Sequence, residues 1–405
     1  MRTARFRSLL AALLAAWLMA SFASTARAAD DALLARIDAS LESAGKFLVA
    51  QQTPGGAWKS GVYGPFKDGP SLSPQVLASL CAIPGAEKND AEAIRRGREY
   101  LRTLVHSQRK TEASRPFSIY TAALCLRLTA AAGPGEKLAD DREFWLRFIR
   151  NEQLNAASLW APSDPSFGGW SYAIGPPLKP GPGHTGNGLA FGNISATAYA
   201  LAALRVARFE DQATFSAASA FVERCQNYSD DSANADPAFD DGGFFFTPDS
   251  PAWNKAGPAG ADRTGRTRFH SYGAATADGL KALRDAGLPP DHPRAVAARH
   301  WLESHFDPAS NPGTFEPDRK VLQNATFFYY AASVSRALSQ SGDAEWKTPT
   351  GTRKWAEELA SELMRRQRGD GSWANEFTDS KEDDPLIATP HAISALGACL
   401  AALAR

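Results

Sequence analysis

The feature that most constrains this chain is a paired helical pattern that recurs about every 50–80 residues. Its clearest copy is the last, Trp355 to Leu403. An amphipathic run (Trp355, Leu359, Leu363) ends in Gln367-Arg368-Gly369-Asp370-Gly371-Ser372-Trp373. A nearly wholly apolar run follows from Leu386 to Leu403, with Ile393, Leu396, Leu400 and Leu403 at helical spacing. The pattern predicts a helix, a glycine turn closed by an aromatic, a short crossing and a second helix. One such hairpin cannot bury its own apolar face, so a chain of them must stack.

Upstream copies give hairpins at approximately 37–83, 91–131, 142–206, 213–286, 295–338 and 355–403. The first closes on Gln51-Gln52-Thr53-Pro54-Gly55-Gly56-Ala57-Trp58. The third delays its turn from Gln153 to Gly168-Gly169-Trp170. The fourth joins Gln226 to Asp241-Gly242-Gly243-Phe244, the fifth has Pro312-Gly313-Thr314-Phe315, and the second lacks the glycine turn. Glycine supplies the positive backbone angle that ends a helix. The aromatic can then cover the helix end, while the Gln amide bonds backbone groups left unpaired there. These turn residues are scaffold first and site second.

The second helices are short, rich in Ala and Leu and nearly free of charge, as a layer covered on both sides requires. The first helices carry charge on one face. Six hairpins of this kind predict an all-α fold, an (α/α)6 toroid of two concentric rings, with an open right-handed solenoid as the competing arrangement. No strand-like alternation exceeds a few residues; Phe244-Phe245-Phe246 is the best candidate for an extended piece.

Residues 1–28 read as a secretory signal peptide. Arg2, Arg5 and Arg7 are followed by an apolar stretch from Leu9 to Phe22 and by Ala26-Arg27-Ala28, a small-x-small cleavage pattern. This predicts an exported protein, periplasmic or extracellular, cleaved near Ala28, with residues 29–405 as a single toroid domain. Removing the segment leaves a mildly acidic chain, which does not suggest nucleic acid as a partner; membrane association is not indicated. The four cysteines, Cys81, Cys125, Cys225 and Cys399, lie in separate apolar runs and read as buried free thiols, with disulfide pairing open. They lack the clustering of a metal site.

The Gln-x(n)-Gly-x-Trp turns resemble the QW repeats of squalene–hopene cyclases and the matching repeats of protein prenyltransferase β subunits. Together with Ser271-Tyr272-Gly273-Ala274-Ala275-Thr276, Ala286-Gly287-Leu288 and Arg366 to Trp373, they look like the secreted bacterial branch of the prenyltransferase/squalene-cyclase repeat superfamily. The resemblance covers nearly all of the mature chain. It implies the toroid and a central cavity for an isoprenoid-like ligand.

The motifs of the known activities are missing. Aligning the inner helices on a Thr/Ser-x-x-x-Leu/Ile-x-x-Leu pattern matches Ser73, Thr197, Thr276 and Thr389. In the cyclases an Asp-x-Asp-Asp stretch precedes that threonine and its middle carboxyl protonates an alkene. Here those residues are Asn193-Ile194-Ser195-Ala196, Tyr272-Gly273-Ala274-Ala275 and Pro385-Leu386-Ile387-Ala388. The Asp-x-Cys pair of a prenyltransferase zinc site is absent, so no metal or cofactor is expected.

Two positions after each aligned Thr/Ser lie Gln75, Tyr199, Asp278 and His391. Either they hydrogen-bond within the layer, or they line a shared axis. In the second case Asp278 and His391 are the candidate catalytic pair, able to do acid–base work if they approach, and Gln75 and Tyr199 are ligand-binding. His270 and Tyr272, at the start of the fourth inner helix, and Trp170 complete the candidate binding set; His184 and Trp253 lie in long loops that could lid the opening. The acidic pairs Asp240-Asp241 and Asp383-Asp384 read as helix-end charges. The reading is a toroid holding a small, partly apolar, isoprenoid- or lipid-like ligand. A glycan-active lyase or hydrolase on an (α/α)6 barrel and a non-catalytic cell-envelope scaffold are the alternatives.

Overall fold

In the computed structural model of the protein, residues 31–405 are described except 65–66, 68, 111–117, 132–140, 173–176, 182–187, 232–234, 250, 340–343 and 349–350. The expected signal peptide and His184 lie outside the described residues.

Twelve helices alternate between two layers. The outer ones are α1 (31–50), α3 (Ala91–Lys110), α5 (Arg142–Asn151), α7 (Gln212–Arg224), α9 (Pro293–His305) and α11 (Trp355–Arg366). The inner ones are α2 (Ser73–Cys81), α4 (Ile119–Ala131), α6 (Ile194–Val206), α8 (Gly273–Ala286), α10 (Phe327–Ser339) and α12 (Pro385–Leu403). Each inner helix packs on the next, and α12 packs back on α2. The inner layer is therefore a closed ring, which excludes the open solenoid. Two apolar segments, Gly188–Val206 and Pro385–Leu403, are long enough to cross a membrane by length and composition, yet both are mostly buried inside the ring.

The turns explain why the hairpins stack. Gly56, Gly168, Gly242 and Gly371 all hold φ between +82° and +87°, and a side chain on Gly168 would place Cβ 2.0 Å from the carbonyl oxygen of Ala217 on the following outer helix. The turn thus needs glycine twice, for its backbone angle and for its close approach. The Gln amides bond two carbonyls each. One belongs to the turn (Gly56, Gly168, Gly242 or Gly371), the other to the neighbouring outer helix (Ala93, Thr214, Arg294 or Ser40). Trp58, Trp170 and Trp373 are fully buried, and their indole N–H groups donate to Leu48, Ile149 and Leu363 near the ends of the outer helices.

Strands do occur. Pro258–Ala261 pairs with Thr267–Phe269, and Trp346–Thr348 with Gly351–Arg353, as two antiparallel ribbons. Their glycines and short length hide them from an alternation test. Phe244-Phe245-Phe246 forms no strand; Phe244 makes only an isolated bridge to Gln226. All four cysteines are free thiols.

Candidate functional site

The turns also set the rotation of the inner helices. The backbone N–H groups of Trp58, Trp170, Phe244 and Trp373 donate to the hydroxyls of Ser73, Thr197, Thr276 and Thr389 at 2.9–3.1 Å. Each hydroxyl therefore faces outward, toward its turn. Two residues on is about 200° around a helix, so Gln75, Tyr199, Asp278 and His391 face the axis. Gln75, Tyr120, Arg127, Tyr329 and Arg336 keep accessible surface although they sit on the innermost layer. Accessible surface this far inside the molecule implies a hollow at the centre of the ring.

Asp278, only 4% exposed, accepts two hydrogen bonds on one oxygen. The hydroxyls of Ser195 on α6 and Tyr329 on α10 both donate to Oδ2 at 2.7 Å. Oδ1 has no protein donor among the described residues. Oδ1 is thus the oxygen that faces a ligand, while the two hydroxyls stabilise charge on the carboxyl group. Burial, and next the charge of Asp278, hold the Tyr329 phenol well above its usual range; it is a donor, not a phenolate.

His391 does not contact Asp278; Tyr329 lies between them. The Tyr329 ring meets the imidazole edge-on at 5.4 Å, and the Gln75 amide lies 3.0 Å from Nε2. Burial first, then the charge of Arg336, push the imidazole down to about 3. His391 is therefore held neutral at ordinary pH; with Gln75 as donor, it accepts.

Tyr199 packs edge-on against Tyr120 of α4 at 4.7 Å and lies under the Arg336 guanidinium at 5.5 Å. At the end of the hollow nearest the helix N-termini, Tyr120 meets Tyr172 (5.8 Å), Tyr172 meets Phe246 (6.4 Å) and the Lys255 ammonium lies 4.4 Å from the Phe246 ring. Burial pushes Lys255 down to about 8. Tyr172, Phe246 and Lys255 come from the two long loops, which thus close on this end.

Two candidate binding residues, Trp170 and His270, are engaged by the scaffold instead of the hollow. Trp170 is fully enclosed, because both its N–H groups are spent on the scaffold. His270 turns to Glu316 at 3.3 Å. Tyr272 is buried against Phe315 at the N-terminus of α8, near enough to Asp278 and Tyr172 to feel both. The acidic pairs are structural: Asp240 pairs with Arg268, Asp241 accepts from Ser271 and Trp301, Asp383 accepts from Tyr63, and Asp384 caps α12 through the Leu386 N–H. Among the described residues no group of three His, Cys, Asp or Glu side chains is placed to hold a metal ion.

Sequence reasoning missed Ser195, Tyr120, Tyr329, Arg127, Arg336 and Lys255. The fifth inner helix had escaped alignment because its turn differs: the Asn311 amide, not an aromatic N–H, donates to Thr326. A signal was available in Arg127 and Arg336, charges within helices otherwise almost free of them.

The closed ring of paired helices defines the class: this is an α/α toroid. No family model matches the sequence, and no curated protein does. The fold is similar to that of type II terpene cyclase MstE from Scytonema. A variant of that enzyme in complex with its substrate, geranylgeranyl dihydroxybenzoate, superposes with a TM-score of 0.53 at 15% identity, covering 92% of this chain and 98% of the other. The ligand-free enzyme gives 0.53 at 14% over 92% and 99%, and a complex with its product, merosterolic acid A, 0.52 at 14% over 92% and 98%. At this identity the likeness is one of fold.

Proposed function

We propose that the protein binds a small, partly apolar, isoprenoid-like molecule in the hollow, and that Asp278 exchanges a proton with it. One observation carries the reading: an enclosed carboxyl with one oxygen held by Ser195 and Tyr329 and the other left to a ligand. The fold shared with an enzyme of prenylated substrates agrees with it. Asp278 follows the aligned threonine instead of preceding it, so any such chemistry would use a different wall of the cavity from the squalene–hopene pattern. The test is native mass spectrometry of the purified protein, with the co-purifying molecule then offered to Asp278→Asn. Release of an apolar ligand by wild type, and its unchanged recovery from the variant, is the expected result. A wild-type protein that carries and binds no such molecule sinks the reading.

A glycan-active reading has its own support, since Tyr329, His391 and Gln75 form a hydroxyl- and amide-bearing cluster suited to sugars. The loop residues stacked over Tyr120 favour a small ligand over a polymer, which needs an open cleft. Export, with cleavage near Ala28, belongs to the proposal as well; N-terminal sequencing of the protein from its native host checks it.

A further inference from the structure

We infer that the deep end of the hollow is an oxyanion site, in which Arg127 and Arg336 hold a carboxylate or phosphate head of the ligand. The apolar body of that ligand rests on the function proposed above; the oxyanion site does not.

Arg127 lies on α4 and Arg336 on α10, the second and fifth of six inner helices, and so on opposite walls of the ring. The Arg336 guanidinium lies 5.5 Å from the ring centre of Tyr199 on α6, and Arg127 feels that phenol, the charge of Arg336 and, more weakly, that of Asp285. Lys281, on α8 between α6 and α10, feels both arginines. Burial lowers Arg127 and Lys281, and the like charges lower them further. Asp285 pairs with Lys281 one turn on. Among the described residues no carboxylate forms an ion pair with Arg127 or Arg336; Arg336 reaches the Ser333 hydroxyl at 3.5 Å and the Tyr199 phenol, and it feels the charge of Asp278 from further off.

A plainer role for such arginines is to cap the C-terminal carbonyls of helices. Arg205 and Arg284 do that, donating to the carbonyls of Asp285 and Ala337. Among the described residues Arg127 and Arg336 make no such bond to a helix-end carbonyl. Among the described residues linked to this space, Arg127, Lys255, Lys281 and Arg336 stand against Asp278 and Asp285, an excess of positive charge. Like charges in an enclosed, low-dielectric space repel strongly, and two guanidiniums on facing walls present the forked donors that oxyanions take up.

Arg127 follows Tyr120, and Arg336 follows Tyr329, by seven residues, two turns or about 10 Å down the helix. Arginine side chains lean back toward the helix N-terminus, and Arg336 feels the charge of Asp278, so a head held by the arginines and the Asp278 carboxyl lie within reach of one ligand.

The experiment compares farnesol, farnesoic acid and farnesyl phosphate by calorimetry on residues 29–405. At least one anion should bind roughly tenfold or more tightly than farnesol, as charge-assisted bonds imply, and the tighter of the two identifies the head. Arg127→Met with Arg336→Met should bring both anions to the farnesol level, with an unchanged circular dichroism spectrum, while Arg336→Lys keeps part of the gain. As a second readout, inorganic phosphate should raise the melting temperature of wild type but not of Arg336→Met. Equal affinity of wild type for farnesol and both anions overturns the oxyanion site and leaves the isoprenoid reading standing. A phosphate shift that depends on Arg336, with no farnesyl compound bound, upholds the site and overturns the isoprenoid reading.

Discussion

Gln367 donates its side-chain amide to the backbone carbonyl of Ser40, 2.9 Å away and 327 residues earlier, and Ser40 returns a hydrogen bond from its hydroxyl at 2.7 Å. The last outer helix is thereby tied to the first by the same amide that ties Gln52, Gln153 and Gln226 to their next neighbours. A local turn device becomes a ring-closing one because the sixth hairpin meets the first.

Gln367→Ala should therefore loosen the seam. It leaves the carbonyls of Ser40 and Gly371 without their donor, at a cost of about 1–3 kcal/mol by chemical denaturation. Amide hydrogen exchange should rise in α1 and α11 more than in α5. Uniform exchange in the three helices would show that the seam is held by packing alone.

Tyr329→Phe removes one of the two hydroxyls on Asp278 Oδ2. The lost hydrogen bond should lower stability by about 0.5–1.5 kcal/mol, while turnover of any ligand falls much further if Asp278 gives up a proton in the reaction. Ser195→Ala should act in the same direction. Activity retained in the double variant would remove Asp278 from the mechanism.

His391 gives a signed pH dependence. Its folded value, about 3, lies below the ordinary 6.5, so from 6.5 downward the unfolded chain binds a proton that the folded chain refuses. Stability from this residue is thus complete above 6.5 and falls with acidification toward 3. Between pH 7 and 4.5 wild type should lose on the order of 2–3 kcal/mol more than His391→Gln. The His391 ring resonances should not titrate between pH 5 and 8; a midpoint near 6.5 would contradict the buried, neutral ring.

Glu382 runs the opposite way. Its carboxylate oxygens accept from the backbone N–H groups of Phe328 and Tyr329 at 2.9 and 2.8 Å, anchoring the start of α10 and with it the Tyr329 side chain. Burial outweighs these donors and pushes the carboxyl up to about 8. Between 4.5 and 8 the folded chain holds a proton that the unfolded chain has lost, so this contribution is complete below 4.5 and disappears as pH rises through 8. Glu382→Gln should remove a stability decline on the order of 2–4 kcal/mol between pH 5 and 8, measured as denaturation midpoints. Parallel curves for the two proteins would place the Glu382 carboxyl at an ordinary value.

The repeat fixed which residues could face the axis, because its threonines and serines bond the turns and so set the rotation of four inner helices. Gln75, Tyr199, Asp278 and His391 were legible for that reason. Trp170 was misjudged because an aromatic beside a glycine reads alike whether it lines a hollow or closes a helix end; only its bond to Ile149 separates the two. Tyr329 was invisible because the fifth turn is built on Asn311, which breaks the pattern that gives the register.

By itself the sequence determined the helices, their pairing and their sorting into an apolar and a charged layer, since these depend on contacts within one hairpin or between adjacent ones. Ring closure by Gln367 and Ser40, the grip of Ser195 and Tyr329 on Asp278, and the facing of Arg127 with Arg336 were decided only in three dimensions. Each joins side chains from different hairpins, 50 to more than 300 residues apart, and no local periodicity records which distant walls meet across a ring.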